Sequence, residues 1–115
     1  MNEKNVLIRD LAFFAFMIPA VILFWRSNLI AGLILFSEAT VAQIFFYKNS
    51  EKIFFVFAGI FGTVLEMIGG IIGIWTYTYP NLITVPFWIF FCWGFTFMLL
   101  NSAYSLVKNR LNKQG

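Results

Sequence analysis

The chain has 115 residues, of which 61% are hydrophobic and only 11% charged, and its formal net charge is +3. So few polar side chains cannot cover a water-soluble globule. The composition therefore argues against a soluble enzyme or a soluble nucleic-acid-binding domain. Apolar stretches near the roughly 20 residues needed to cross hydrocarbon recur along the whole sequence. We therefore expect one all-α integral membrane domain over residues 1–115.

The apolar stretches divide the chain into four predicted spans. Their approximate limits are residues 5–25, 29–47, 53–76 and 81–107. Helices are expected because backbone groups find no water inside the bilayer, and the short connections make neighbouring helices antiparallel. The predicted fold is an up-down bundle of four transmembrane helices. Arg9 and Asp10 lie near the start of the first span, where they can pair or reach the interface.

The cationic residues predict the orientation of the bundle. Seven of the eight fall on one side of the predicted topology, whereas Arg26 lies alone on the other; the seven are Lys4, Arg9, Lys48, Lys52, Lys108, Arg110 and Lys113. Cytoplasmic flanks carry an excess of Lys and Arg. We expect a multi-pass protein of the cell membrane with both termini in the cytoplasm, and the positive charge gives no support to a nucleic-acid partner.

Metal and cofactor chemistry receives little support from the composition. The sequence contains one cysteine and no histidine. An intrachain disulfide is therefore excluded, and haem or non-haem iron sites of the usual kind are not expected. We predict no metal site and no cofactor.

Two acidic residues, Glu38 and Glu66, lie well inside predicted spans. An ionised carboxylate at the bilayer centre costs on the order of 3 kcal/mol on insertion scales, so neither should face lipid. The alternatives are protonated carboxyls that hydrogen-bond between helices, or groups that exchange protons or contact a ligand. We expect the two to face the same interior, with at least one protonated at neutral pH, and both are candidate catalytic groups.

Other polar and aromatic side chains could complete an interior site. The predicted ligand-binding set is Glu38, Gln43, Glu66, Trp88, Trp93 and Asn101. Gln43 and Asn101 are costly to leave unsatisfied in a membrane. Trp88 and Trp93 offer rings for an apolar or cationic ligand, although packing explains them as well.

Small residues recur at spacings of three and four around Glu66. They are Gly59, Gly62, Gly69, Gly70 and Gly73. This spacing gathers most of them on one helical face, where small residues allow close approach of a neighbouring helix. We predict a helix-packing face, with the wall of a narrow cavity as the alternative.

The half of the chain from about Glu51 to Asn109 has an embedded acid, a glycine, and a Pro-x-Trp with a second Trp that introduces the last span. This pattern resembles an uncharacterised family of small bacterial inner-membrane proteins, which has no established activity to carry over. The matching positions are Glu66, Gly70, Pro86, Trp88 and Trp93.

The string Glu66-x2-Gly69-x3-Gly73-x-Trp75-x-Tyr77 is similar to a segment of the carotenoid 1,2-hydratases. Those are larger membrane enzymes, and the resemblance implies that Glu66 protonates an isoprenoid double bond. The length and span count also resemble the small multidrug resistance transporters. Their essential acid lies in the first helix, where this chain has only Asp10, so that similarity is architectural.

Three classes of function remain open. The first is an accessory or structural subunit of a membrane protein complex, favoured because no motif requires catalysis or transport. The second is a small proton-linked transporter or binder of hydrophobic or cationic molecules, working as an oligomer through Glu38 and Glu66. The third is an isoprenoid-modifying enzyme with Glu66 as general acid. Expected partners are the lipid bilayer, with other subunits or further copies of the chain.

Overall fold

The computed structural model describes residues 2–114, and over that range the chain forms four long helices. They are α1 (Glu3–Phe24), α2 (Asn28–Val41, continued by a π-helical turn, Ala42–Phe46), α3 (Asn49–Ile71) and α4 (Ile89–Gln114). Counting the π-helical turn with α2, all four are long and apolar enough to span a membrane. The predicted all-α membrane bundle is confirmed, and the chain is a small multi-pass membrane protein.

Helix α4 lies at the centre of the bundle. It packs along α3 and along α1, while α2 packs mainly on α1 and only briefly against α4. Helices α2 and α3 follow one another in the chain but share hardly any contact. A hydrogen bond from Asn109 to Glu3 joins the last helix to the start of the first, so these two helices run antiparallel. We call the end of the bundle that contains this hydrogen bond the terminal end, and the opposite end the connection end.

Aromatic side chains fill the middle of the bundle. Phe55 of α3 and Phe95 of α4 are almost fully buried, with ring centroids 5.0 Å apart in an edge-to-face arrangement. Phe13 of α1 stacks on Phe95 at 5.7 Å. Because lipid is as apolar as these side chains, the helices are held by close packing and ring contacts, each worth about 0.5–1.5 kcal/mol. The contacts fix α1 and α3 on either side of α4.

Helix α3 ends earlier than the sequence predicted. Gly73 has a φ of 83°, and the amides of Gly73 and Ile74 donate to the carbonyls of Gly70 and Gly69 at 3.3 and 2.9 Å. This is the Schellman pattern that terminates helices at a left-handed glycine. The predicted span limit near residue 76 is therefore wrong, and α3 ends at Ile71.

The chain between α3 and α4 is longer than the predicted turn. Helix α4 begins at Ile89, not near residue 81, because Pro86 and the residues before it form a folded connection over 72–88. Val85 is fully buried in it. Asn28 fastens the connection to α2, since its side chain donates to the carbonyl of Tyr79 at 2.8 Å and accepts from the indole N–H of Trp88 at 3.1 Å.

Candidate functional site

An open cleft of about 780 Å³ lies between α1 and α2. Its walls are mostly apolar side chains from both helices, including Phe13, Phe16 and Leu33. The polar residues that line it are Arg9, Ser37 and Glu38. Ligand sites in proteins are commonly concave, mostly apolar and supplied with a few polar groups, so this cleft is the leading candidate site.

Glu38 belongs to the buried stripe of α2. Ala31, Leu35, Glu38 and Ala42 follow one another at spacings of four, three and four, and all are buried. Such spacing places residues on one face of a helix. The stripe packs towards the rest of the bundle and carries the carboxyl with it. Glu38 is 8% exposed, although nothing in the local sequence balances its charge.

The Glu38 carboxyl has no hydrogen-bond partner. Both of its oxygens are buried, and neither is within hydrogen-bonding reach of another group in residues 2–114. A buried polar group without a partner costs on the order of 1–3 kcal/mol, and more when it is charged. Glu38 is therefore suited to hold a proton, or to receive a cationic or hydrogen-bond-donating group of a ligand.

Arg9 also lines the cleft, but its guanidinium already makes four hydrogen bonds. Its Nε donates to Asp10 Oδ1 at 2.9 Å, and its Nη1 and Nη2 donate to Glu51 at 3.3 and 2.7 Å. Nη1 also donates to the carbonyl of Phe46 at 3.1 Å, and the guanidinium lies 5.0 Å from the ring centroid of Tyr47. We call Arg9, Asp10, Tyr47 and Glu51 the Arg9 cluster. It joins α1 to the start of α3 and leaves Glu38 without a cation.

Glu66 is in a different environment from Glu38. The hydroxyl of Tyr77 donates to Glu66 Oε2 at 2.8 Å, and the indole N–H of Trp75 donates to the Glu66 carbonyl at 3.0 Å. Burial and this hydrogen bond raise the pKa of Tyr77, so the phenol stays protonated in the neutral range. Glu66 does not line the α1–α2 cleft. Its carboxyl thus fastens the connection to α3.

The carboxyls of Glu38 and Glu66, which the sequence predicts to face the same interior, are not hydrogen-bonded to each other. Both lie within electrostatic range of the Cys92 thiol on α4. However, Glu66 is bonded to Tyr77, Glu38 has no partner within the described chain, and their helices hardly touch. Two residues at similar depths on antiparallel helices meet only if those two helices pack directly against each other. Here α2 and α3 hardly touch, and α4 packs against both.

The other predicted ligand-binding residues are spread over separate places. Trp88 is buried and bonded to Asn28, and Trp93 stacks on Phe97 at 5.4 Å and covers Gly62. Gln43 lies in a small groove between α2 and α3, and Asn101 is exposed beside a pocket at the terminal end. The six predicted residues therefore do not form one site.

The glycines of α3 have two kinds of neighbour. A Cβ at Gly59 or Gly62 would lie 2.5 Å from Phe90 or 2.0 Å from Trp93, both on α4. Gly69 and Gly70 lie against Trp75 and Thr84 of the connection instead. The packing role predicted for Gly73 is wrong, since nothing would lie within 4 Å of a Cβ there, and this residue ends the helix.

Sequence reasoning placed Arg9 and Asp10 at an interface and did not single out Glu51 or Tyr47. Asp10 is 2% exposed and Arg9 9%, so the pair is inside the bundle. A usable signal was present: two opposite charges stand side by side within an apolar run. Such a pair seldom faces lipid, and Glu51 at the start of α3 was the acid available to complete it.

Comparison with known proteins adds no relative. No protein-family model matches the chain, no curated protein is significantly similar to it, and no solved structure matches its fold. Function must therefore be argued from the site itself.

Proposed function

We propose that this protein binds a hydrophobic cation in the α1–α2 cleft, with the Glu38 carboxyl as the counter-ion. The observation that carries the proposal is a buried carboxyl without a partner at the wall of an open, largely apolar cleft. The apolar walls suit an aromatic or aliphatic body, and the carboxyl suits a positive charge.

Binding and protonation are linked in this proposal. Without a cation nearby, Glu38 is expected to hold a proton, because an isolated anion is costly in low dielectric. A ligand cation replaces that proton and restores neutrality. The same exchange of a proton for a cation would allow the protein to work as a small proton-linked transporter. Further copies of the chain would then enclose the cleft, which is open in the single chain.

The direct experiment measures binding of tetraphenylphosphonium to the protein in lipid nanodiscs by equilibrium dialysis. Neutral triphenylphosphine oxide serves as the uncharged comparison ligand. We expect saturable binding of the cation, weakened at least about tenfold in Glu38→Gln, which corresponds to about 1.4 kcal/mol.

Glu66→Gln is the matched control, since it makes the same chemical change at the carboxyl that Tyr77 already satisfies. It should bind the cation as the wild type does. Equal binding by wild type and Glu38→Gln would remove the basis for the proposal. Equal weakening in both variants would show that the effect is not specific to the cleft.

An accessory-subunit function is the second candidate, and a specific feature favours it. A groove of about 220 Å³ separates α2 from α3, and Gln43 lines it among Phe36, Val56 and Phe91. A glutamine in such surroundings gains by hydrogen-bonding to a neighbouring helix. A transmembrane helix of another subunit would fill the groove and supply a hydrogen-bond partner for Gln43. Purification in mild detergent separates the candidates: a heteromeric complex that is lost in Gln43→Leu favours the subunit, and its absence argues against it.

We also propose that the protein is in the cell membrane with both termini in the cytoplasm. The support is the distribution of its cations, seven of which fall on the side of the termini and the Lys48 turn. Single cysteines at the C-terminus, in a Cys92→Ser background, should react with an impermeant maleimide only after the membrane is opened. Labelling of the C-terminal cysteine in intact cells would show that the C-terminus is outside, opposite to the proposed orientation.

A further inference from the structure

A second pocket, of about 290 Å³, lies at the terminal end between α1, the turn before α3, and α4. It differs from the α1–α2 cleft in its polar lining, which includes Asp10, Asn101, Ser102 and Ser105. We propose that this pocket binds a monovalent cation, either a proton or Na⁺, at Oδ2 of Asp10. The proposal is independent of the function assigned to Glu38.

Asp10 is the most deeply buried charged side chain in the part of the chain that the structure describes, at 2% exposed. Its Oδ1 accepts from Arg9 Nε at 2.9 Å. Its Oδ2 is buried and has no partner among residues 2–114. Carboxylate oxygens held inside a protein are normally hydrogen-bonded or bound to a cation. Asp10 lines the pocket, and this oxygen is the atom at which we place the ion.

The charges of the Arg9 cluster indicate how much positive charge is missing. One guanidinium serves both Asp10 and Glu51, so the three groups together carry one excess negative charge. Both carboxylates are at least partly buried beside apolar helices. A single positive charge restores neutrality, which fits a monovalent ion and not a divalent one. Consistently, no group of three or more potential metal-ligating acids, cysteines or histidines occurs within residues 2–114.

The groups that face Asp10 come from every element around it. The charged and titratable ones are Glu3 and Arg9 on α1, Tyr47 and Lys48 before α3, and Glu51 on α3. Helix α4 contributes only neutral side chains to the pocket. Lys48 is exposed and lies on the same pocket, and its charge acts on Glu51 from the surface. Within the described residues it forms no salt bridge with Asp10 or Glu51, so no ion pair with Lys48 removes the excess negative charge of the cluster.

The chemistry of the lining suits a small hard cation. The carboxyl of Asp10, the amide oxygen of Asn101 and the hydroxyls of Ser102 and Ser105 are oxygen ligands, which hard cations prefer. The Ser102 hydroxyl is within 3.1 Å of the carbonyl of Leu99 and also interacts with the Asp10 carboxyl, so its oxygen is close to the proposed ion position. An anion would meet Asp10, Glu3 and Glu51 in the same pocket and is disfavoured.

The experiment uses the full chain in lipid nanodiscs and compares NaCl with choline chloride at equal ionic strength and neutral pH. If Na⁺ is the ion, the unfolding temperature rises in NaCl by at least about 3 °C, as expected for a site near saturation. If a proton is the ion, there is no sodium effect, and infrared spectroscopy shows a protonated carboxyl band that Asp10→Asn removes. The proposal is overturned if sodium has no effect and Asp10→Asn removes no such band.

Asp10→Asn also disturbs the pair with Arg9, so milder variants are needed. Ser102→Ala and Ser105→Ala leave that pair intact and should reduce a sodium-dependent shift by at least half. Ser37→Ala, in the α1–α2 cleft, is the matched control and should not. If the proton is bound, the serine variants should instead shift the Asp10 band. No response from either serine would count against the pocket.

Glu38→Gln separates this proposal from the proposed function. It removes the counter-ion of the cleft and should leave the sodium shift or the Asp10 band unchanged. Loss of tetraphenylphosphonium binding with a retained ion response would support both sites. Loss of the ion response in Glu38→Gln would contradict a separate site at Asp10.

Discussion

Two neighbouring regions of this bundle handle buried carboxylates in opposite ways. In the Arg9 cluster, one guanidinium joins Asp10 to Glu51 through contacts of 2.7 to 3.3 Å. In the α1–α2 cleft, which the same arginine also lines, Glu38 has no partner within the described residues. The first arrangement fixes one helix to another. The second leaves a group whose needs can be met only by a proton or a ligand.

The difference shows that a position inside a predicted span does not by itself reveal the role of an acid. Glu66 lies in the last two turns of α3, where a neutral donor, the Tyr77 hydroxyl, satisfies it. What distinguishes the three environments is the partner: a cation for Asp10 and Glu51, a phenol for Glu66, and none among residues 2–114 for Glu38. Each partner predicts a different response to mutation.

The largest expected effect comes from removing the cation of the Arg9 cluster. Arg9→Met should lower the free energy of unfolding by about 3–5 kcal/mol, because it leaves the buried Asp10 and the partly buried Glu51 without their guanidinium donor. Denaturant titration in mixed micelles measures this. Arg26→Met is the matched control, since Arg26 is exposed and its guanidinium lies 5.1 Å from the ring centroid of Trp25, and it should change stability little. A fully stable Arg9→Met protein would show that the cluster does not hold the helices together.

Replacing the unpartnered acid should have the opposite sign. Glu38→Leu should leave the free energy of unfolding unchanged or raise it by up to about 2 kcal/mol, because a buried carboxyl without hydrogen bonds is exchanged for an apolar side chain. Glu66→Leu should lower it by about 1 kcal/mol or more, since Tyr77 loses its acceptor. The same titration compares the two. A marked loss of stability in Glu38→Leu would reveal a partner for that carboxyl.

The smallest expected effect concerns the donor to Glu66. Tyr77→Phe should destabilise the protein by about 0.5–1 kcal/mol, the usual net value of one hydrogen bond. In a double-mutant cycle with Glu66→Leu, the two effects should be less than additive, because each change removes the same contact. Strict additivity would mean that the phenol and the carboxyl do not interact. Binding of tetraphenylphosphonium should be unaffected by Tyr77→Phe.

Hydropathy was sufficient to predict the number and type of the helices. The composition of each span, and the absence of water for backbone groups, allow few alternatives to a helical bundle. The limits of α3 and α4 were harder, because hydropathy continues across the connection. Gly73 and Pro86 determine those limits through backbone geometry, and both residues were visible in the sequence as possible breakers.

The candidate site was only partly predictable. The burial of Glu38 could be predicted because an ionised carboxylate in lipid is energetically costly. Whether the carboxyl finds a partner depends on how α1, α2 and α4 rotate and pack. The same dependence explains why Glu51 was missed and why Glu38 and Glu66 are not bonded. The six predicted residues were all chosen by chemical type: Glu38, Gln43, Glu66, Trp88, Trp93 and Asn101. Their distribution over different parts of the bundle is a property of tertiary packing.

The central claim is that the Glu38 carboxyl holds a proton until a hydrophobic cation replaces it. Infrared difference spectroscopy of the protein in nanodiscs at neutral pH, recorded with and without tetraphenylphosphonium, tests this most directly. We predict a cation-sensitive protonated carboxyl band that disappears when the cation is added, is missing in Glu38→Gln, and is retained in Glu66→Gln. A cation-sensitive band that persists in Glu38→Gln, or the lack of any carboxyl band that responds to the cation, would contradict the claim.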